Sequence, residues 1–254
     1  MLIFLINAIK IVFALGFLIL IHEGGHFLVA RLCKVNVIEF SIGFGPVIFK
    51  KETEKTVYSL RAIPLGGYVN LEGEDNRVDK EGSFSNASIP KRMAIIVAGG
   101  LVNIAFGIIT FFILATVFAQ TNNLQDSFEK NLYLGLTKTK EFVFSIFESL
   151  KMLFTGNVGV NQLVGPVGIS QAITQTTEFA DYIYMLSLIS LSLGVTNLLP
   201  IPALDGGKLV LLMIELLRKK KISEKTEINI QLIGFSILIA LSLYVTYNDV
   251  MRIF

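Results

Sequence analysis

Four long runs of this chain carry almost no charge, and nothing else in the sequence restricts its fold as strongly. About 20 consecutive apolar residues cross a bilayer as a helix, because lipid offers the backbone no hydrogen-bond partners. The runs lie at about residues 3–32, 93–119, 182–217 and 228–248, the third broken near 197–207 by Pro200, Pro202, Asp205, Gly206 and Gly207. Apolar residues make up 53% of the 254 and charged ones 17%, against roughly 45–50% and 25% in soluble domains. The expected fold is therefore an all-α polytopic membrane protein of about four transmembrane helices. The first run has no basic segment before it and no small-residue cleavage site after it, so it reads as a retained helix rather than a signal peptide.

The loops set the orientation, because cytoplasmic loops collect Lys and Arg. Ten such residues lie between runs one and two, from Arg31 to Arg92; four lie between runs two and three; five lie in the short third loop. Loops one and three are expected in the cytoplasm, with both termini outside. The net charge is +2, and no basic cluster is interleaved with aromatics, which argues against nucleic acid as a partner. The lone Cys33 excludes an intrachain disulfide.

The first loop has local structure. Ser41–Pro46 is rich in turn residues, Thr56–Ile63 alternates as a strand does, and Pro64–Val69 reads as a turn leading into another. A small β-hairpin at the membrane surface is expected. The acidic stretch Glu72–Glu81 fails the spacing of a calcium loop, since Arg77 would occupy a ligand position. In the second loop, Phe142–Phe154 has helical periodicity with several phenylalanines, consistent with an interfacial helix or a packed one.

Chemistry concentrates in two places. His22-Glu23-Gly24-Gly25-His26 puts two imidazoles one helical turn apart on one face, so both reach one metal ion. Glu23, beside them, suits proton transfer from water to a leaving amine. The chain has only two histidines, and both are here, inside a run where each charged group costs roughly 2.5–3.5 kcal/mol. The bland alternative is a wetted polar patch at a helix end. A catalytic zinc normally takes three protein ligands and keeps one open position. The remaining donor at membrane depth is Asp205, in the stretch Asn197–Gly207. An aspartate there serves equally as the cap of a following helix; beside HEGGH the ligand reading is preferred.

HEGGH on the first run and NLLPIPALDGG on the third resemble the site-2 protease family, in particular its bacterial RseP-type members. Phe40-Ser-Ile-Gly-Phe-Gly-Pro46, Ile63-Pro-Leu-Gly-Gly-Tyr-Val69 and Leu163-Val-Gly-Pro-Val-Gly-Ile169 follow in the family's order. The resemblance implies a single intramembrane metalloprotease domain over 1–254, in the inner membrane of a bacterium, cutting transmembrane segments of single-pass proteins near the cytoplasmic side. It implies Zn2+ on His22, His26 and Asp205, and Glu23 as acid and base. It matches Asn197 to an asparagine that contacts substrate or the oxyanion, where the alternative is a helix–helix hydrogen bond. Gly43 and Gly45 are the expected substrate-binding positions. Two features depart from the family. Gly99-Gly100-Leu-Val-Asn103 stands where Gly-Pro-x-x-Asn is usual, and the second loop has no room for a PDZ domain.

Under this reading the substrate helix unwinds before it is cut, and the hairpin edge around Thr56–Ile63, or Ser41–Pro46, is expected to hold the unwound strand; the alternative is a hairpin that plugs the site. The competing readings are a metal transporter, which needs further acidic groups within the spans, and a catalytically silent membrane binding protein.

Overall fold

A computed structural model of the chain describes residues 2–74, 76–122 and 127–253. Its elements, in order, are α1 (Leu2–Leu32), β1 (Val37–Glu52), β2 (Val57–Leu71), α2 (Ile89–Asn122), α3 (Phe128–Phe154), α4 (Pro166–Gln175), α5 (Phe179–Asn197), α6 (Asp205–Arg218) and α7 (Glu224–Ile253). Four helices are long and apolar enough to cross a membrane, at Ile3–Leu32, Ile89–Ala119, Phe179–Asn197 and Glu224–Arg252. They match the four apolar runs, so the chain is a multi-pass membrane protein. The third run resolves into two helices, α5 and α6, of which only α5 is among the four.

The chain divides into two compact units. The first comprises residues 1–7, 104–193 and 239–254; the second comprises 8–103 and 194–238.

In the second unit, the two strands form an antiparallel sheet. Phe40 faces Val69 and also Tyr58, and Ser41 faces Tyr68 and also Ser59. Residues 39–42 thus lie between 67–70 on one side and 57–60 on the other. Residues 57–60 pair again with 49–52. The stretch 57–60, expected as the free edge, is therefore an interior one, because β1 folds back along it. The edges left open are 67–71 on one side and 47–52 on the other.

The sheet also reaches along the apolar span of α1. A Cβ on Gly16 would stand 2.8 Å from the Pro64 carbonyl oxygen, so the turn after β2's first half packs against α1 about 22 Å of helix before Arg31. Phe44, Val47, Ile48 and Phe49 near that end are exposed, as lipid-facing side chains would be. Lys50, Lys51 and Glu52 stand at the opposite end of the fold-back, opposite Ser59, Tyr58 and Val57.

Ala30, Val35, Val37, Leu71, Phe84, Ile95, Ile96 and Leu212 form the apolar core under the end of the sheet that carries Val37 and Leu71. Beside it, Arg92 and Glu215 are buried and paired at 2.9 Å, and Arg77 joins Glu215 at 3.4 Å and Glu227 at 2.9 Å. Breaking such a buried pair from one side costs about 3–5 kcal/mol, so this network fastens α2, the loop after β2, α6 and the start of α7.

In the first unit, α3 buries Asn131, Gly135, Thr139 and Phe142 as one helical stripe. Gly135 lies against Thr116, and Phe142 stacks on Phe111 at 4.0 Å. Packing on α2 accounts for this stripe, which reaches only Phe142 of the stretch Phe142–Phe154. Phe128, Tyr133, Phe144, Phe147 and Phe154 remain exposed around it.

Candidate metal centre and active site

Helix α1 carries His22, Glu23 and His26 in its second half. Small residues let α1 and α2 meet closely there. A Cβ on Gly25 would stand 2.7 Å from the Ala98 carbonyl oxygen, and one on Gly99 would collide with the His26 ring and crowd His22. Gly99 thus makes the space that the two imidazoles occupy. Gly24 faces open space, so the two glycines of HEGGH have different reasons to be glycine.

The third donor comes from the break after α5. Residues 198–204 are non-helical and fold over the first turn of α6, where side chains at Gly206 and Gly207 would strike the carbonyls of Leu199 and Ile201. Ala203 has φ of 74°, a left-handed conformation that costs an L-residue roughly 1–2 kcal/mol. Its N–H donates to Gln231 Oε1 at 2.6 Å, which helps hold the strained turn. The helix begins with Leu204 as its extended cap residue and no side-chain capping bond. Asp205 is therefore not spent as a cap, and its carboxylate faces α1.

His22 Nε2 and His26 Nε2 are 3.2 Å apart, and Asp205 Oδ2 is 3.2 Å from the first and 3.3 Å from the second. Tetrahedral zinc with donors at about 2.0–2.1 Å separates neighbouring donors by about 3.4 Å, so this triangle is the base of such a site. The second contacts of the rings set their tautomers. His26 Nδ1 is 2.8 Å from the Ile95 carbonyl oxygen. A carbonyl only accepts, so Nδ1 carries the proton and Nε2 presents a lone pair to Asp205. The Asn103 amide nitrogen lies 3.4 Å from His22 Nδ1; with the amide turned so that its oxygen meets the ring, it would accept from Nδ1–H and leave His22 Nε2 to a metal in the same way. Asp205 Oδ2 is buried and receives no hydrogen bond. Three donor atoms thus point at one another with nothing between them to donate a proton, which is what a cation would resolve. Among the described residues they are the one such three-donor group.

Glu23 lies beside the triangle. Its Oε2 accepts the Val69 N–H at 3.1 Å, so the open sheet edge and the glutamate are joined. Together His22, Glu23, His26, Asp205, Tyr68 and Val69 line one side of a cavity of about 160 Å³ that Glu74, Phe84 and Lys208 help close. Asn197 ends α5 and is partly buried; it is not among the cavity's lining residues. Gly43 and Gly45 have φ of 87° and 82°, a region that favours glycine, and shape the deep end of β1 away from the cavity lining. Asn103 was absent from the expected site. A fully buried asparagine in an apolar span is the signal that would have found it.

The peptidase family M50 model matches residues 10–241. A Fusobacterium nucleatum protein whose name gives it provisionally as a zinc metalloprotease is 30% identical, over 94% of this chain and 97% of its own. A similarly named Clostridium acetobutylicum protein is 29% identical over 96% and 97%. The zinc metalloprotease RasP of Oceanobacillus iheyensis is 23% identical over 98% and 99%. The first and last of these alignments run to 331 and 421 positions against a chain of 254, so those relatives carry segments with no counterpart here, consistent with a short form without a PDZ domain. By the match over most of its length, the chain belongs to peptidase family M50, the site-2 protease family.

Proposed function

We propose that this chain is an intramembrane zinc metalloendopeptidase that cuts transmembrane segments of single-pass proteins, with His22, His26 and Asp205 holding the metal. The triangle of donors at 3.2–3.3 Å, with Glu23 alongside, carries this reading. Zinc bound there would acidify water and polarise the scissile carbonyl. Glu23 takes a proton from the attacking water and delivers it to the amide nitrogen as the C–N bond breaks. With Oε2 tied to Val69, the other oxygen of the carboxylate is left for the proton.

The substrate must present an extended peptide, because helical amides are closed by their own i to i+4 bonds. The open edge at 67–71 supports strand addition, with backbone groups of the substrate pairing to those of Gly67–Leu71. This edge leads to Glu23 through Val69, and so takes the role first expected of Thr56–Ile63. Gly43 and Gly45 contribute by shaping the sheet that carries the edge. Asn197 contributes an amide donor at the end of α5. The Lys and Arg distribution supports an inner-membrane orientation with the site towards the cytoplasm and both termini outside.

Co-expression with candidate single-pass proteins tests the proposal. The unmodified chain should yield a shortened product that the Glu23→Gln chain does not. Equal product from both would refute a role for Glu23 in cleavage.

A further inference from the structure

We propose that the cytoplasmic end of α1 forms a binding site for the headgroup of an anionic phospholipid. Three separate segments build a cavity of about 490 Å³ there: Arg31 and Lys34 from the end of α1, Lys55 from the β1–β2 turn, and Lys80 from the loop after β2, with Glu54 and Glu72 as the acidic members. The charges are not evenly matched. Glu72 is already bound by Lys80 at 2.6 Å and by the Asn36 amide at 2.7 Å, and these contacts hold its carboxyl below the usual carboxylate range. Arg31, Lys34 and Lys55 have no ion-pair partner among the described residues. They face only Glu54, which leaves two positive charges in excess.

The backbone turn sets the place of one of these lysines. Lys34 has φ of 63° where α1 turns out of its helix, a position that glycine or asparagine normally fills. A lysine bears conformational strain there, and its side chain joins the cavity.

Position decides between lipid and soluble anions. Arg31 stands about 32 Å of helix beyond Lys10, close to the thickness of a bilayer's hydrocarbon core at about 30 Å. Leu28, Leu32 and Ile38 are exposed at 60%, 81% and 47% immediately beside these cations. Aliphatic surface therefore passes directly into cationic surface, as acyl chain passes into phosphate. A soluble acidic peptide or free phosphate would match the charge and leave the aliphatic side uncovered. The site is distinct from the metal centre, sharing none of its residues.

The test is lipid retention by the full chain in detergent, measured by native mass spectrometry after adding phosphatidylglycerol or phosphatidylcholine. Wild type should retain phosphatidylglycerol in preference. Each basic side chain near an anionic surface is worth about five-fold in binding. Lys55→Gln, on an exposed turn, should therefore lower retention about five-fold, and Arg31→Gln/Lys34→Gln/Lys55→Gln should abolish the preference. Arg218→Gln/Lys219→Gln/Lys220→Gln, which removes as many charges after α6, should keep it. Equal retention of the two lipids, or equal loss in the α6 variant, would overturn the proposal. So would displacement of the lipid by inorganic phosphate under conditions where sodium chloride of the same ionic strength leaves it bound.

Discussion

Each compact unit of this protein holds an aspartate that turns a carboxylate oxygen inward, and the two are used in opposite ways. Asp249, near the end of α7, is 3% exposed, and its Oδ2 accepts the N–H groups of Gly165 at 2.9 Å and Gly168 at 2.8 Å. It holds the start of α4, and its neighbouring Arg252 lies 3.9 Å away. That carboxylate is saturated by donors the fold itself supplies. Asp205 receives no such donor and faces two imidazole nitrogens. Burial and charge alone do not separate a structural carboxylate from a functional one. What separates them is whether the surrounding donors leave acceptor capacity over.

This comparison can be broken in order of expected effect. Glu23→Gln keeps shape and removes the base, so cleavage should fall about 100- to 10,000-fold while zinc content is unchanged; loss of zinc would move Glu23 from proton carrier to ligand. Next, Gly99→Ala should displace the His26 ring and lower zinc affinity about 10- to 100-fold, whereas Gly24→Ala, with open space before it, should leave zinc and activity unchanged. Equal behaviour of the two variants would contradict the packing of α1 on α2. Asn103→Ala should weaken zinc within the same range by loosening His22, and Asn103→Asp, which retains an acceptor, should restore most of it. The smallest effect on activity belongs to the other carboxylate. Asp249→Asn should destabilise by about 1–3 kcal/mol, because it weakens the acceptor of two backbone donors, and should be read as a lower thermal midpoint with normal zinc content. A zinc defect there would erase the distinction between the two aspartates.

Much of this site is legible along the chain, because its key residues obey local rules. HEGGH announces itself by spacing on a helix, and Asp205 by being a carboxylate within a broken apolar run. The spans follow from length and hydropathy, and the hairpin from alternation and turn residues. What the sequence hides is set by tertiary pairing. Residues 57–60 look like an edge strand because they alternate, yet β1 folds back and covers both sides of them. The open edge at 67–71 has no signature of its own. Gly99 reads as part of a uniform apolar helix, and Asn103 stands out there only as an amide in an apolar run, until α2 is placed against α1. Gly165–Ile169 is a glycine-rich motif without a partner until Asp249, far along the chain, reaches its N–H groups.

The account rests on Asp205 completing a metal site that two histidines leave unfinished, and metal analysis of the purified chain tests this most directly. Wild type should carry about one zinc per chain. Asp205→Ala should lose most of it and lose cleavage, with the thermal midpoint of the metal-free protein little changed, because the buried Oδ2 faces only the two imidazoles and no backbone donor. Full zinc and normal cleavage in Asp205→Ala would contradict the account and remove Asp205 from the site.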